Sequence, residues 1–124
     1  MTGTASDEQG GSSRAMAGAS TDGPGRGKVR TLAEAVGRIP AGAVVALGGN
    51  TFHRAPAAAV HELIRQGRRV DLVKSAGAYE VDVLVGAGLV DRVQAAYVGF
   101  ETLGLAPCYR RAIETGRLAL TEHT

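Results

Sequence analysis

The stretch Val44–Pro56, VVALGGNTFHRAP, decides how this chain is read. Four apolar residues, Val44–Leu47, run into Gly48-Gly49. Asn50, Thr51, His53 and Arg54 follow, and then Ala55 and Pro56. An apolar run without alternation suits a parallel strand buried on both faces. Two glycines permit left-handed backbone and close approach by another group. A proline just past such a loop suits the first turn of a helix. Strand, glycine loop and proline-led helix make the first half of a βαβ unit.

The same logic extends in both directions. Upstream, Thr31 and Glu34 have capping-box spacing, each satisfying an amide that the helix start leaves free. Leu32, Ala35, Val36 and Ile39 then share one helical face. Downstream of Pro56, Ala57, Val60, Leu63 and Ile64 form a helical stripe, with Gly67 as its stop. Val70–Val73 reads as a second strand and Lys74–Tyr79 as a loop. Glu80–Val90 is ambiguous: its valines favour strand, yet Val81, Leu84 and Val85 fit one helical face. Arg92–Val98 reads as a third strand, Gly99–Ala106 as a loop, Pro107–Gly116 as a helix and Leu118–Leu120 as the start of a fourth strand. This order predicts an α/β domain with an open parallel sheet and right-handed βαβ crossovers.

Residues 1–27 break the pattern. They hold seven glycines, four serines and three threonines, and no Val, Leu, Ile, Phe or Tyr. Such a segment cannot bury enough apolar surface to offset its ordering entropy, so it is expected to be a disordered tail preceding a domain at 28–124.

Composition narrows the function classes. The chain has 124 residues, 44% hydrophobic and 21% charged, which fits one soluble globular domain. It has no apolar run of about 18 residues and no visible signal peptide. A net charge of +2 and an aromatic content of 4% argue against a nucleic-acid partner. The lone Cys108 suits a reducing cytoplasm, and the three histidines and one cysteine lack metal-ligand spacing.

The chemistry concentrates in the stretch quoted above. In open parallel sheets, ligands sit beyond the carboxyl ends of strands. The helix led by Pro56 has Ala55 where a capping side chain would serve. Its first amides and the positive end of its dipole therefore suit an anion. Arg54 adds a forked donor matched to phosphate or carboxylate. The expected binding residues are thus Gly48, Gly49 and Arg54, with Ser75, Gly77 and Glu101 at the same sheet edge as further candidates. Glu34, Glu62 and Glu114 read as solvated helix faces, His53 as a solvated loop residue, His61 as surface, and Cys108 as filling. No catalytic nucleophile or metal ligand stands out.

Two segments carry a family resemblance. LGGNTFHRAPAAAVHELIRQG, through Gly48, Gly49, Arg54 and Pro56, resembles the A subunits of family I coenzyme A transferases of the glutaconate CoA-transferase type. YVGFETLGLAPCYRRAIETG, through Gly99, Phe100, Glu101, Gly104, Pro107, Arg110 and Arg111, matches a second stretch of that family. The resemblance implies a three-layer Rossmann-like fold. It implies ping-pong transfer of CoA between an acyl-CoA and a carboxylate, with the nucleophilic glutamate on a partner B subunit. This chain would then supply cleft residues for coenzyme A and the acyl substrate, with no further cofactor, in a cytoplasmic hetero-oligomer. Family A subunits are much longer, so the chain is expected to be an N-terminal, truncated part, inactive alone. A CoA-thioester hydrolase of the steroid-ring-degradation type is a close alternative. A non-catalytic remnant that only docks with a partner is another.

Overall fold

The structure, a computed structural model, describes residues 27–123. The tail expected over 1–27 lies outside the described residues except for Gly27. The elements are α1 (Leu32–Gly37), β1 (Ala43–Ala46), α2 (Ala57–Arg65), β2 (Val70–Gly77), α3 (Tyr79–Gly86), β3 (Val90–Val98), a 3-10 turn (Glu101–Leu103), α4 (Pro107–Glu114) and β4 (Ala119–Glu122). All three strand pairings are parallel, and the sheet order is β1-β2-β3-β4. This is the α/β class with an open parallel sheet and βαβ units.

Strands added in chain order give the sheet a sidedness. Right-handed crossovers between successive neighbours place every helix on the same face. Accordingly α1 packs on α2, α2 on α3, and α3 on α4. The helix-facing residues Val70, Leu72, Val90, Val93 and Ala95 join Val60, Leu63, Val81, Leu84 and Val85 in one core. Fully burying each Leu or Val side chain contributes about 1.5–3 kcal/mol.

The other face carries no helix among the described residues. Val44 is 61% exposed, and Ser75 and Ala96 are exposed. The expectation that β1 is buried on both faces is therefore corrected: its residues alternate between half-buried and exposed. A three-layer arrangement needs a second helical layer that these residues do not supply. No helix among them is long and apolar enough to cross a membrane.

Boundaries moved where side-chain alternation outran the visible turn signals. β2 continues through Gly77 rather than ending at Val73, so the expected loop at Lys74–Tyr79 is mostly strand. The ambiguous segment is a helix followed by the first residue of a strand. Its resolution is tertiary: Val81, Leu84 and Val85 are fully buried against the sheet and α4. The Thr31–Glu34 capping box forms as expected, with the Glu34 N–H donating to Thr31 Oγ1 at 3.2 Å and the Thr31 N–H to Glu34 Oε2 at 2.9 Å.

Candidate functional site

Three connections leave the carboxyl edge of the sheet. The β2–α3 connection is Ala78 alone, whereas β1–α2 runs over 47–56 and β3–α4 over 99–106. The two long connections meet across the short one. The Thr51 N–H donates to the Ala76 carbonyl at 2.9 Å, and the Thr51 hydroxyl donates to Glu101 Oε1 at 2.5 Å. The Phe52 and Phe100 rings pack with centroids 5.5 Å apart. The Glu101 N–H in turn donates to the Tyr97 hydroxyl at 3.2 Å.

Backbone strain gathers in these loops. Thr51, Arg54 and Glu101 have φ of 44°, 58° and 53°, and they are the non-glycine residues with positive φ among those described. Each such conformation costs on the order of 1–3 kcal/mol and persists only where surroundings hold it, a pattern that collects at functional sites.

The two adjacent glycines serve different purposes. Gly49 has φ of 87°, and a Cβ there would stand 2.5 Å from the Arg54 carbonyl oxygen. Its own loop therefore requires glycine, because Asn50 and His53 exchange two backbone hydrogen bonds of 2.9 and 2.8 Å in a tight hairpin. Gly48 faces open space, with no atom within 4 Å of the Cβ position. Gly49, Asn50, His53 and Arg54 line an open cleft of about 490 Å³.

Beneath this turn lies a buried charge pair that sequence reasoning missed. Lys74 and Glu80 both have fully buried side chains, with Nζ and Oε1 3.4 Å apart. Lys74 Nζ donates to the Gly48 carbonyl at 2.6 Å and to the Gly49 carbonyl at 2.8 Å. Glu80 Oε1 also accepts the Ala78 N–H at 3.4 Å. A signal was present: Val70, Leu72 and Lys74 keep a period of two, which puts Lys74 on the core face of a strand that runs on.

The helix starts differ in their acceptors. α1 has Thr31, the turn into α3 has Glu80, and Asp82 Oδ1 accepts the Tyr109 N–H of α4 at 2.8 Å. At α2, Pro56 supplies no side-chain cap. The Ala57 N–H donates to the Ala55 carbonyl at 2.8 Å, which removes one of the amides expected to be free. The remaining positive end of α2 follows Arg54, a residue of the cleft lining, by three positions in the chain. This is an electrostatic arrangement for a negative group.

The other sequence candidates lie elsewhere. Ser75 is exposed on β2, on the sheet face opposite its neighbour Lys74. Gly77 is buried, and a Cβ there would press within 2.6 Å of Val81 Cγ2, so packing of α3 demands the glycine. Glu101 ties the two long loops together through Thr51. Glu62, expected on a solvated face, is buried. Hydrogen bonds from Arg65, and then from Gln66, hold its carboxyl below the usual range. His61 is exposed and bonded to the Tyr79 hydroxyl at 2.8 Å. Cys108 packs against Gly86.

Fold and cleft together define an open α/β domain with a cleft in the loop that follows β1 at the carboxyl edge of its sheet. Residues 29–122 match the family described as coenzyme A transferase, and the chain belongs to that family. It is 38% identical over 99 residues to the A-type subunit of 3-oxoadipate CoA-transferase from Pseudomonas knackmussii, covering 76% of this chain and 35% of the relative. It is 34% identical over 105 residues to the A-type subunit of glutaconate CoA-transferase from Acidaminococcus fermentans, covering 78% of this chain and 31% of the relative. The crystal structure of that glutaconate coenzyme A-transferase superposes with a TM-score of 0.71 at 30% identity, covering 78% of this chain and 32% of the other. The decarboxylase AibA/AibB, crystallised as a cysteine-to-serine variant, superposes with a TM-score of 0.73 at 38% identity, over 77% of this chain and 38% of the other. The chain thus spans about a third of the length of these relatives.

Proposed function

We propose that this chain forms the acyl-CoA-binding half of a CoA-transferase site whose nucleophilic carboxylate comes from a partner B subunit. The observation that carries this reading is the open cleft lined by Gly49, Asn50, His53 and Arg54, which Gly48 adjoins on one side in sequence and the start of α2, without a side-chain cap, on the other. Backbone N–H groups at a glycine turn suit the carbonyl oxygen of a thioester as it gains negative charge. Arg54 and the α2 amides suit a phosphate or carboxylate at the other end of the ligand. The partner's carboxylate attacks the thioester carbonyl carbon, expels CoA thiolate and leaves an acyl anhydride. The thiolate then attacks the anhydride at the enzyme's carbonyl, giving an enzyme–CoA thioester and the free acid. A second carboxylate repeats these steps in reverse.

A second reading keeps the cleft and changes the reaction. Identity to the decarboxylase AibA/AibB equals that to the 3-oxoadipate transferase relative, so this portion of the scaffold is compatible with more than one chemistry. Hydrolysis of a CoA thioester and decarboxylation of an acyl-CoA both belong to this alternative.

Gly48→Val provides the test, because nothing in the protein itself occupies the space beside Gly48. Acyl-CoA binding to the chain in complex with its B subunit is measured calorimetrically, and products are separated into exchanged thioester, free acid and carbon dioxide. Parent binding with loss in Gly48→Val, at unchanged melting temperature, supports the cleft. Exchanged thioester identifies the transferase. Equal binding by the two proteins overturns the site.

A further inference from the structure

We propose that Lys74 is a positioning residue that orients the Gly49 N–H into the cleft. The inference rests on the acyl-CoA reading of that cleft. An ammonium has three N–H donors and no acceptor. At Lys74 those donors face the Gly48 carbonyl at 2.6 Å, the Gly49 carbonyl at 2.8 Å and Glu80 Oε1 at 3.4 Å. The ammonium therefore leans toward the turn and away from its carboxylate partner.

Peptide geometry converts that pull into an orientation. No peptide bond among the described residues is cis. In a trans peptide the carbonyl of one residue and the N–H of the next point to opposite sides. With the Gly48 carbonyl drawn down onto Lys74, the Gly49 N–H points up, away from the core. The Gly49 carbonyl is drawn down as well, which turns up the Asn50 N–H, but that group is taken by the His53 carbonyl at 2.9 Å. The Gly49 N–H is the donor this arrangement offers to a ligand in the space lined by Gly49, Asn50, His53 and Arg54.

The composition of the pair argues for a role beyond folding. Two buried charges are costly to desolvate, and well-packed apolar residues often stabilise a fold as well or better. Glu80 Oε2 is buried with no hydrogen-bond partner, so the pair is incompletely satisfied as a structural element. What an apolar replacement could not do is hold two backbone carbonyls.

One double variant separates positioning from folding. Lys74→Met alone strands the Glu80 carboxylate in the core, so the informative protein is the double variant Lys74→Met/Glu80→Met. Its melting temperature is compared with that of the parent. Amide exchange is followed at Asn50, Thr51 and His53 in the chain itself, and kinetics are measured in the complex with the B subunit. The expected result is a folded double variant whose loop amides exchange on the order of tenfold faster. Its kcat falls about 100-fold, as for loss of one oxyanion donor, with KM little changed. Parent-like exchange and kcat in the double variant overturn the proposal, since the pair is then a dispensable packing element. Failure of the double variant to fold overturns it too, by making the pair a requirement of the fold. If the parent complex has no acyl-CoA chemistry, the functional reading fails, and the exchange measurement alone still decides whether Lys74 holds the turn.

Discussion

Two helices in this protein begin with the same dipeptide, Ala-Pro, and end up in opposite electrostatic states. At Ala106-Pro107 the start of α4 is closed from a distance: Asp82, buried in α3, accepts the Tyr109 N–H at 2.8 Å. At Ala55-Pro56 the start of α2 receives no side-chain acceptor, and the residue just before it, Arg54, lines an open cleft. The N-cap is Pro56 in α2 and Ala106 in α4, and neither side chain can cap. The difference lies in what the fold brings to each end. It makes α4 a helix finished by packing, and it leaves α2 the helix start that the proposed ligand would complete.

Arg54→Ala probes the open start most directly. Anionic ligand binding in the assembled complex should weaken by about 1.5–3 kcal/mol, the range for hydrogen bonds to charged groups. Melting temperature should hardly move, because surface substitutions usually stay within about 0.5 kcal/mol. Unchanged binding would make the two helix starts functionally equivalent. Asp82→Ala probes the closed start and should show the reverse pattern. Chemical denaturation should reveal a loss of about 1–3 kcal/mol, because a buried donor is left unpaired. An effect confined to ligand binding would break the comparison from the other side.

Ala55→Asp should make α2 resemble α4. Residue 55 precedes the N-cap Pro56, so a carboxylate there acts mainly through the helix dipole, stabilising the fold by about 0.3–1 kcal/mol. It competes with an incoming anion, so affinity should fall as stability rises. A variant in which both rise would remove the anion from the account.

The smallest effect compares the ion pairs along the two helices. On α4, Arg110 and Glu114 pair at 2.6 Å with both side chains more than half exposed, so Glu114→Gln should cost no more than about 0.5 kcal/mol. On α2, the Glu62 carboxyl is held low by Arg65 and Gln66. A carboxyl depressed in the folded state contributes stability above its unfolded pKa and loses it as pH falls through the folded value. The melting-temperature gap between parent and Glu62→Gln should therefore be widest near neutrality and close in acid. A gap independent of pH would contradict this assignment.

The parts legible in sequence were those set by neighbours along the chain. The Thr31–Glu34 capping box, the stop at Gly67 and the proline-led helices all depend on residues within one turn. The loop at Gly48-Gly49 was legible as a loop. What was illegible came from across the fold. Lys74 reads in sequence as the first residue of a loop, because its partners, the Gly48 and Gly49 carbonyls, lie some 25 residues upstream. Asp82 capping Tyr109 is equally remote. The apolar run of β1 could not show that one of its faces stays open, since that depends on strand order. Gly77 and Glu101 were placed correctly at the sheet edge, yet the structure occupies them with internal packing and loop pairing.

The strand order has a consequence for synthesis. Because each strand closes only on its neighbour in the chain, across a single helix, every pairing can form as soon as the next unit emerges. A parallel sheet ordinarily folds slowly, since its partners are distant in sequence. Here that distance is close to the minimum a crossover allows. The sheet can grow outward from β1 on the ribosome, one βα unit at a time, with β4 presented last as the edge for whatever is translated or bound next.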